Sequence, residues 1–457
     1  MADFLLRSLP GFSNISVQRL KSAKGTSRAV CCVLAGLFAA SAMLAQDQDP
    51  SPATRSIPTM VGQLLDHDFV NFYVFGNAIY DSRLPILSSS GQTLGNGSWG
   101  YQVGGGVTLA HQFRDGDISL SYRGDYRDYT STRFGGGTDQ NLSLLYNKRL
   151  SRHWTVSLPV SAGVLLYGAG GYIVSPSAGS AVAPNPLSPQ TRYVQTGVNF
   201  TYQQTRRLSY VFSGNFFLND YNYVGAIGSK GVSGAASALY RITGKTTVGA
   251  TYSHSYYHYA QGAGTTSVDG ESLSLTHDFP DHWQASLSAG INRTYTQGVV
   301  STPVSVLLGQ QTVQGFFVGP YERTTYVPSF QGSLTRFFRH SSASLTGGQG
   351  VIPGNGTFLT SRDQFLTGLY SLSMRRSNIG LATSYFHLTS IANVVTSSYT
   401  TESFNASYGY VLRRHLSANV SYSFLHYGNL FSLGSINDNV ITLGLSLSTQ
   451  SLPLGLF

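Results

Sequence analysis

Cysteine is almost missing from this chain: the 457 residues hold two, Cys31 and Cys32, side by side in one early apolar stretch. If that stretch is removed on export, the mature protein has no disulfide, no thiolate nucleophile and no Cys-ligated metal. Charge is also scarce, at 11% Asp, Glu, Lys and Arg, well below what a soluble surface carries. Long hydrophobic runs are lacking too. Only Ala29 to Ala45 qualifies, and a mean hydropathy of -0.04 argues against a bundle of membrane helices. Basic residues fall singly and in pairs rather than in clusters, so nothing points to nucleic acid. Paired carboxylates and metal-ligand spacings are absent as well. His254 and His258, four apart on a strand, would stand about 13 Å apart, too far to share an ion. The sequence therefore predicts no catalytic residue, no metal and no cofactor.

The first 45 residues read as a secretory leader. Basic residues run through Arg28, the apolar run follows, and Ala40-Ser41-Ala42 supplies a cleavage site after Ala42, with Ala45 as the alternative. A retained helical anchor is the competing reading, but the run is at the short edge of a span. Cleavage removes five cations and Asp3 from a formal +9, leaving about +5. Residues 46 to 66, with Asp49-Pro50-Ser51-Pro52 and Ile57-Pro58, read as an extended periplasmic linker. Residues 67 to 457 form one domain.

That domain is rich in Gly (51), Tyr (29) and Phe (25). It is organised by a recurring plan, a short basic turn running into an alternating strand. Leu150-Ser151-Arg152-His153-Trp154 is the clearest copy, followed by Phe279-Pro280-Asp281-His282-Trp283, Phe338-Arg339-His340-Ser341 and Leu412-Arg413-Arg414-His415-Leu416. Looser copies lie at Arg114, Arg206/Arg207, Lys245 and Arg375/Arg376. Most copies are roughly 36 to 38 residues apart, with two gaps of about 55 and 58, so the repeated unit is a hairpin. Each strand alternates. Ile118, Leu120, Tyr122 and Tyr126 face one way and Ser119, Ser121, Arg123, Asp125 and Arg127 the other. Strands of about 10 to 14 residues suit a tilted bilayer crossing.

Connections alternate long and short, and the count is about 18 strands, within a range of 16 to 18. A strand-built span in hydrocarbon must pair every backbone group internally, so the wall must close. A propeller would place four short strands in each repeat, and a solenoid would not alternate its connections. The predicted fold is an all-β, transmembrane, antiparallel up-and-down barrel with short periplasmic turns and longer extracellular loops. From about Asp66 to Phe457 the chain resembles the bacterial outer-membrane β-barrels of the porin-like class. The resemblance implies an outer-membrane location, contact with outer-membrane lipids, and Phe457 as an assembly signal read by the barrel-assembly machinery. Pro453 interrupts the alternation just before it.

The inward set is mostly Ser, Thr, Asn, Gln and Gly, which hold water without a strong field. Passage of small hydrophilic solutes through a passive or weakly selective channel is the expected function. The alternatives are polysaccharide export and a structural or adhesive surface barrel with a closed lumen. Arg123, Asp125 and Arg127 form the sharpest pore-lining cluster, a candidate charge ladder. Tyr80, Tyr129, Tyr295 and Tyr427, near strand ends, are expected in the interfacial girdles. Arg152, His153, Arg206, Arg207, Arg339, His340, Arg375, Arg376, Arg413, Arg414 and His415 should gather on the periplasmic rim, near anionic headgroups. Loop 167–190 could narrow the lumen, and Gln297 to Glu322 could extend strands or form a plug. A homo-oligomer is compatible with this plan but not signalled by it.

Overall fold

A computed structural model describes residues 69–82, 97–130, 136–166, 190–222, 226–308, 311–354, 356, 359–391, 398–428, 435–449 and 452–453. The expected leader and linker, residues 167–189 of the expected long loop, and Phe457 lie outside them. The wall is a closed antiparallel ring of 18 strands. Its first half comprises β1 (Phe69–Asp81), β2 (Ser98–Phe113), β3 (Gly116–Tyr129), β4 (Gly137–Arg149), β5 (Trp154–Leu166), β6 (Gln190–Gln203), β7 (Leu208–Tyr221), β8 (Ser229–Arg241) and β9 (Thr246–Tyr259). The second half is β10 (Gly264–Asp278), β11 (Trp283–Leu308), β12 (Gln311–Phe337), β13 (Ser341–Ile352), β14 (Ser361–Ser373), β15 (Ser377–Ser390), β16 (Ser398–Arg413), β17 (Leu416–Gly428) and β18 (Ile436–Ser448). Each strand pairs with the next, and β1 closes on β18 from Tyr73 opposite Ser448 to Asp81 opposite Val440. A two-residue β19 (Leu452–Pro453) pairs with Phe69 and Val70.

Three of the short turns close by a shared device. The Ser151 Oγ accepts hydrogen bonds from the His153 and Trp154 amides at 3.2 Å each. Thr205 does the same for Arg207 and Leu208 (3.2 and 3.0 Å), and Thr243 for Lys245 and Thr246 (3.2 and 3.0 Å). A hydroxyl at the first turn position thus stands in for a backbone acceptor and leaves the next two positions free for cations. In the β10–β11 turn, Asp281 (φ 61°) and His282 (φ 64°) are both left-handed, as a tight hairpin turn requires. Because every such turn follows an even-numbered strand, all the basic turns gather at one end of the ring.

β11 and β12, at 26 and 27 residues, are nearly twice the length of their neighbours. β10 pairs with β11 only as far as Gly298, and β13 pairs with β12 only from Phe330 to Phe337. The region between Gln297 and Glu322 therefore extends the two strands rather than forming a plug. Ten residues, Val299 to Leu308, continue past the last residue paired with β10, about 33 Å of ribbon with free edges. Prolines protect those edges. Pro303, Pro320 and Pro328 pair with Phe316, Val299 and Ile291, all on odd-numbered β11 positions and so all in one class of the alternating ladder. Proline cannot donate into that ladder, so all three nitrogens point to a free edge and deny it a donor.

Side-chain parity divides the wall cleanly. Phe72, Val74, Trp99, Tyr101, Val103, Phe212, Phe216, Leu273, Leu287, Leu443 and Leu445 are exposed on the outer face. The alternate set turns inward. Around mid-strand it is hydroxyl- and amide-rich and half-buried, as at Gln195, Asn199, Ser213, Asn215, Ser233, Ser237, Thr251 and Ser253. Toward the long connections it becomes tightly buried and aromatic.

Candidate channel interior

Arg123, Asp125 and Arg127 all stand on the inward row of β3 and are buried. Their neighbours complete a network that runs from β1 to β5. Arg123 Nε donates to Asp125 Oδ1 at 3.2 Å, and Arg127 donates to Asp139 Oδ2 on β4 at 3.3 Å. Gln102 on β2 donates to Asp125, and Asn77 on β1 donates to Gln102 Oε1 at 2.9 Å. The Leu166 amide donates to the other Asp139 oxygen. At the upper end of the row the Tyr129 hydroxyl donates to Asp81 Oδ2 at 3.3 Å, and Asp438 on β18 accepts from Ser82 Oγ at 3.3 Å.

β2 makes room for this network by having no side chain where the others need space. Gly104 lies opposite Phe75 on one side and Asp125 on the other, and Gly106 lies opposite Tyr73 and Arg123. The stacked rings of Tyr73 and Phe75 (6.3 Å between centroids) lie over these glycines, and the Arg123 guanidinium sits 4.8 Å from the centre of the Phe75 ring. The ladder is therefore pressed into the wall rather than standing into the lumen. The network also includes acids that pattern reading had not joined to the ladder. On the inward faces of β18, β1, β3 and β4, Asp438, Asp81, Asp125 and Asp139 outnumber Arg123 and Arg127. Parity places them inward without joining them to the ladder: Asp81 shares its face with Asn71 and Asn77, opposite the exposed Phe72 and Val74.

Toward the long connections the inward row packs into buried clusters. Phe217, Tyr257, Tyr259, Val268, Val327 and Val351 form one buried cluster, against which Ile227, Leu359 and Ile391 pack. Ile352, Phe365, Phe386, Leu388 and Tyr399 form a second, and Leu425, Tyr427 and Ile436 a third. Residues from the β13–β14 connection enter this region. Thr360 exchanges hydrogen bonds with Tyr259 (2.7 Å) and Thr266 (2.6 Å), and the Ile227 amide donates to the Gly356 carbonyl at 2.8 Å.

Two of the four expected girdle tyrosines are elsewhere. Tyr129 and Tyr427 turn inward and are 8% and 2% exposed, because each has the parity of its strand's polar row. Tyr80 and Tyr295 stand on the outer rows, Tyr80 against Trp99 (5.1 Å) and Tyr295 donating to Glu322 at 2.9 Å. His254 and His258 also face outward, and His254 pairs with Asp269 at 2.7 Å. Among the described residues no cluster of three or more His, Cys, Asp or Glu could hold a metal. The basic residues from Arg152 to His415 stand together at the short-turn end, as their order on the chain requires.

No family model matches the chain, and no curated protein matches it. Among solved structures it is similar to a BenF-like porin from Pseudomonas fluorescens Pf-5, at 10% identity over 84% of this chain and 99% of that one, with a TM-score of 0.40. It is also similar to OccAB1 of Acinetobacter baumannii (10% identity, 83% and 96% covered, TM-score 0.38) and to OccK5 (OpdH) of Pseudomonas aeruginosa (9% identity, 83% and 98% covered, TM-score 0.36). The ring closure itself is read from the strand pairing of this chain.

Proposed function

We propose that this chain is an outer-membrane channel of the porin type that passes small hydrophilic solutes, cations ahead of anions. One observation carries the reading: a closed wall whose outer row is apolar and exposed and whose inner row is hydroxyl- and amide-lined at mid-height. Such a surface is stable only with hydrocarbon outside and water inside. The sequence supports export through its leader, and the gathered cations suit the periplasmic rim. The cation preference follows from four inward carboxylates set against two guanidiniums in the wall, since fixed charge around a passage favours the opposite ion.

Purified protein in planar bilayers provides the test. Discrete open steps with a reversal potential displaced toward the cation equilibrium support the proposal, and silence from folded protein ends it. The reading with a closed lumen, as a structural surface barrel, draws on the aromatic clusters at the long-connection end and is what silence would favour. Nothing in the interior favours a polymer over a small solute.

A further inference from the structure

We infer that Arg336 is the centre of a binding site for the phosphate of a glycerophospholipid, on the outer face at the short-turn rim. This rests on the membrane reading above and adds a specific ligand contact to it. Arg336 occupies the outward row of β12, in line with the exposed Tyr326, Phe330 and Leu334. Its guanidinium carbon lies 4.9 Å from the centre of the Trp283 ring, its cross-strand partner on β11, and 4.5 Å from the Phe338 ring two residues on. Its Nε is buried and has no acceptor among the described residues. Arg149, at the end of β4, instead donates its Nε to the Ser151 carbonyl at 3.2 Å. Arg123, the other arginine held on a ring, is engaged by Asp125 inside the barrel.

The chemistry selects an oxyanion. The Trp283 and Phe338 rings hold the guanidinium at the outer face, and a guanidinium held in place is suited to take two phosphate oxygens side by side. The charged and titratable groups on the adjoining turns are Arg339 and His340 on one side and His282 and Asp281 on the other, a net cationic setting with one acid. Asp278 is engaged by Gln284 at 3.1 Å. A lipid rather than a free anion is indicated by what adjoins the site. Leu334 and Phe330 on β12, with Leu287 and Ile291 on β11, continue from Arg336 as an exposed apolar strip where acyl chains can lie.

The test is native mass spectrometry of the full-length protein released from detergent micelles, titrated with phosphatidylglycerol, with diacylglycerol, and with sodium phosphate as competitor. The expected result is one retained phosphatidylglycerol and no retained diacylglycerol, with no displacement by phosphate at millimolar level. Arg336→Ala should weaken retention at least about tenfold, the loss of a charge-assisted pair. Arg336→Lys should retain less than wild type, and Lys230→Ala, at the opposite, long-connection end of β8, should retain as much. Should Arg336→Ala fail to fold, Phe338→Leu carries the test, since it keeps the charge and loosens the clamp. Equal retention by wild type and the folded variants overturns the site, and displacement by inorganic phosphate overturns its assignment to lipid. A chain that stays dissolved without detergent would instead end the membrane reading itself.

Discussion

Phe75 on β1 lies across Gly104 on β2 so closely that a Cβ at position 104 would come within 2.7 Å of the Phe75 Cζ, and closer still to the Asp125 Cβ on the other side. The missing side chain is what allows an aromatic ring and a charged network to share one course of the wall. Gly104→Ala should therefore destabilise the barrel by about 1 to 3 kcal/mol, the usual cost of overpacking. Gly76→Ala is the control, because a Cβ there would meet nothing within 4 Å. It should change stability by less than about 0.5 kcal/mol. Urea unfolding in lipid vesicles, followed by tryptophan fluorescence, compares the two, and equal midpoints would refute the account.

The Arg127–Asp139 pair joins β3 to β4 with side chains 11% and 6% exposed. Asp139→Ala leaves the guanidinium short of a carboxylate and the Leu166 amide short of an acceptor. A loss of about 3 kcal/mol is expected, in the range for breaking a buried pair on one side. In the bilayer assay the same variant should shift the reversal potential toward anions, and Arg123→Ala with Arg127→Ala should shift it toward cations. Reversal potentials that stay put in both would remove the charge cluster from the permeation path.

How much of this was legible beforehand depended on how far parity was followed. Strand number, closure and the inward placing of Arg123, Asp125 and Arg127 follow from period 2 and from the alternating connections, which local sequence states directly. Tyr129 and Tyr427 were misplaced because nearness to a strand end was allowed to outweigh parity. Tyr129 lies on the row of Arg127, and Tyr427 on the row of Ser421 and Ser423. Asp139, Gln102 and Asn77 could not be joined to the ladder from sequence, because which residues meet across β1 to β4 is fixed by register, and register depends on the whole closed ring.

The β11–β12 ribbon should be dispensable for folding. Beyond Gly298 and Tyr321 its two strands pair only with each other. Replacing residues 299–320 by a short Asn-Gly turn should leave the urea midpoint within the error of measurement. By contrast, Pro320→Val in the intact chain restores an N–H on a free edge and should raise the fraction of higher oligomers seen by light scattering. A deletion that fails to fold would mean that the ribbon supports the wall by contacts other than strand pairing.

Tyr399, 2% exposed, and Tyr427, also 2% exposed, stand on adjacent strands at the end of the interior packed with aromatic clusters. If these rings narrow an otherwise watered passage, trimming them should open it. Tyr399→Ala with Tyr427→Ala should cost several kcal/mol of stability, as large-to-small changes in packed clusters do, while raising single-channel conductance about twofold or more, since pore radius at the narrowest point governs ion flow. Heat-modifiable migration on a gel reports whether the variant is folded before it is recorded. A folded variant with unchanged steps would place the constriction elsewhere. A folded variant that conducts where the wild type is silent would make the wild-type chain a closed barrel whose lumen these two rings seal.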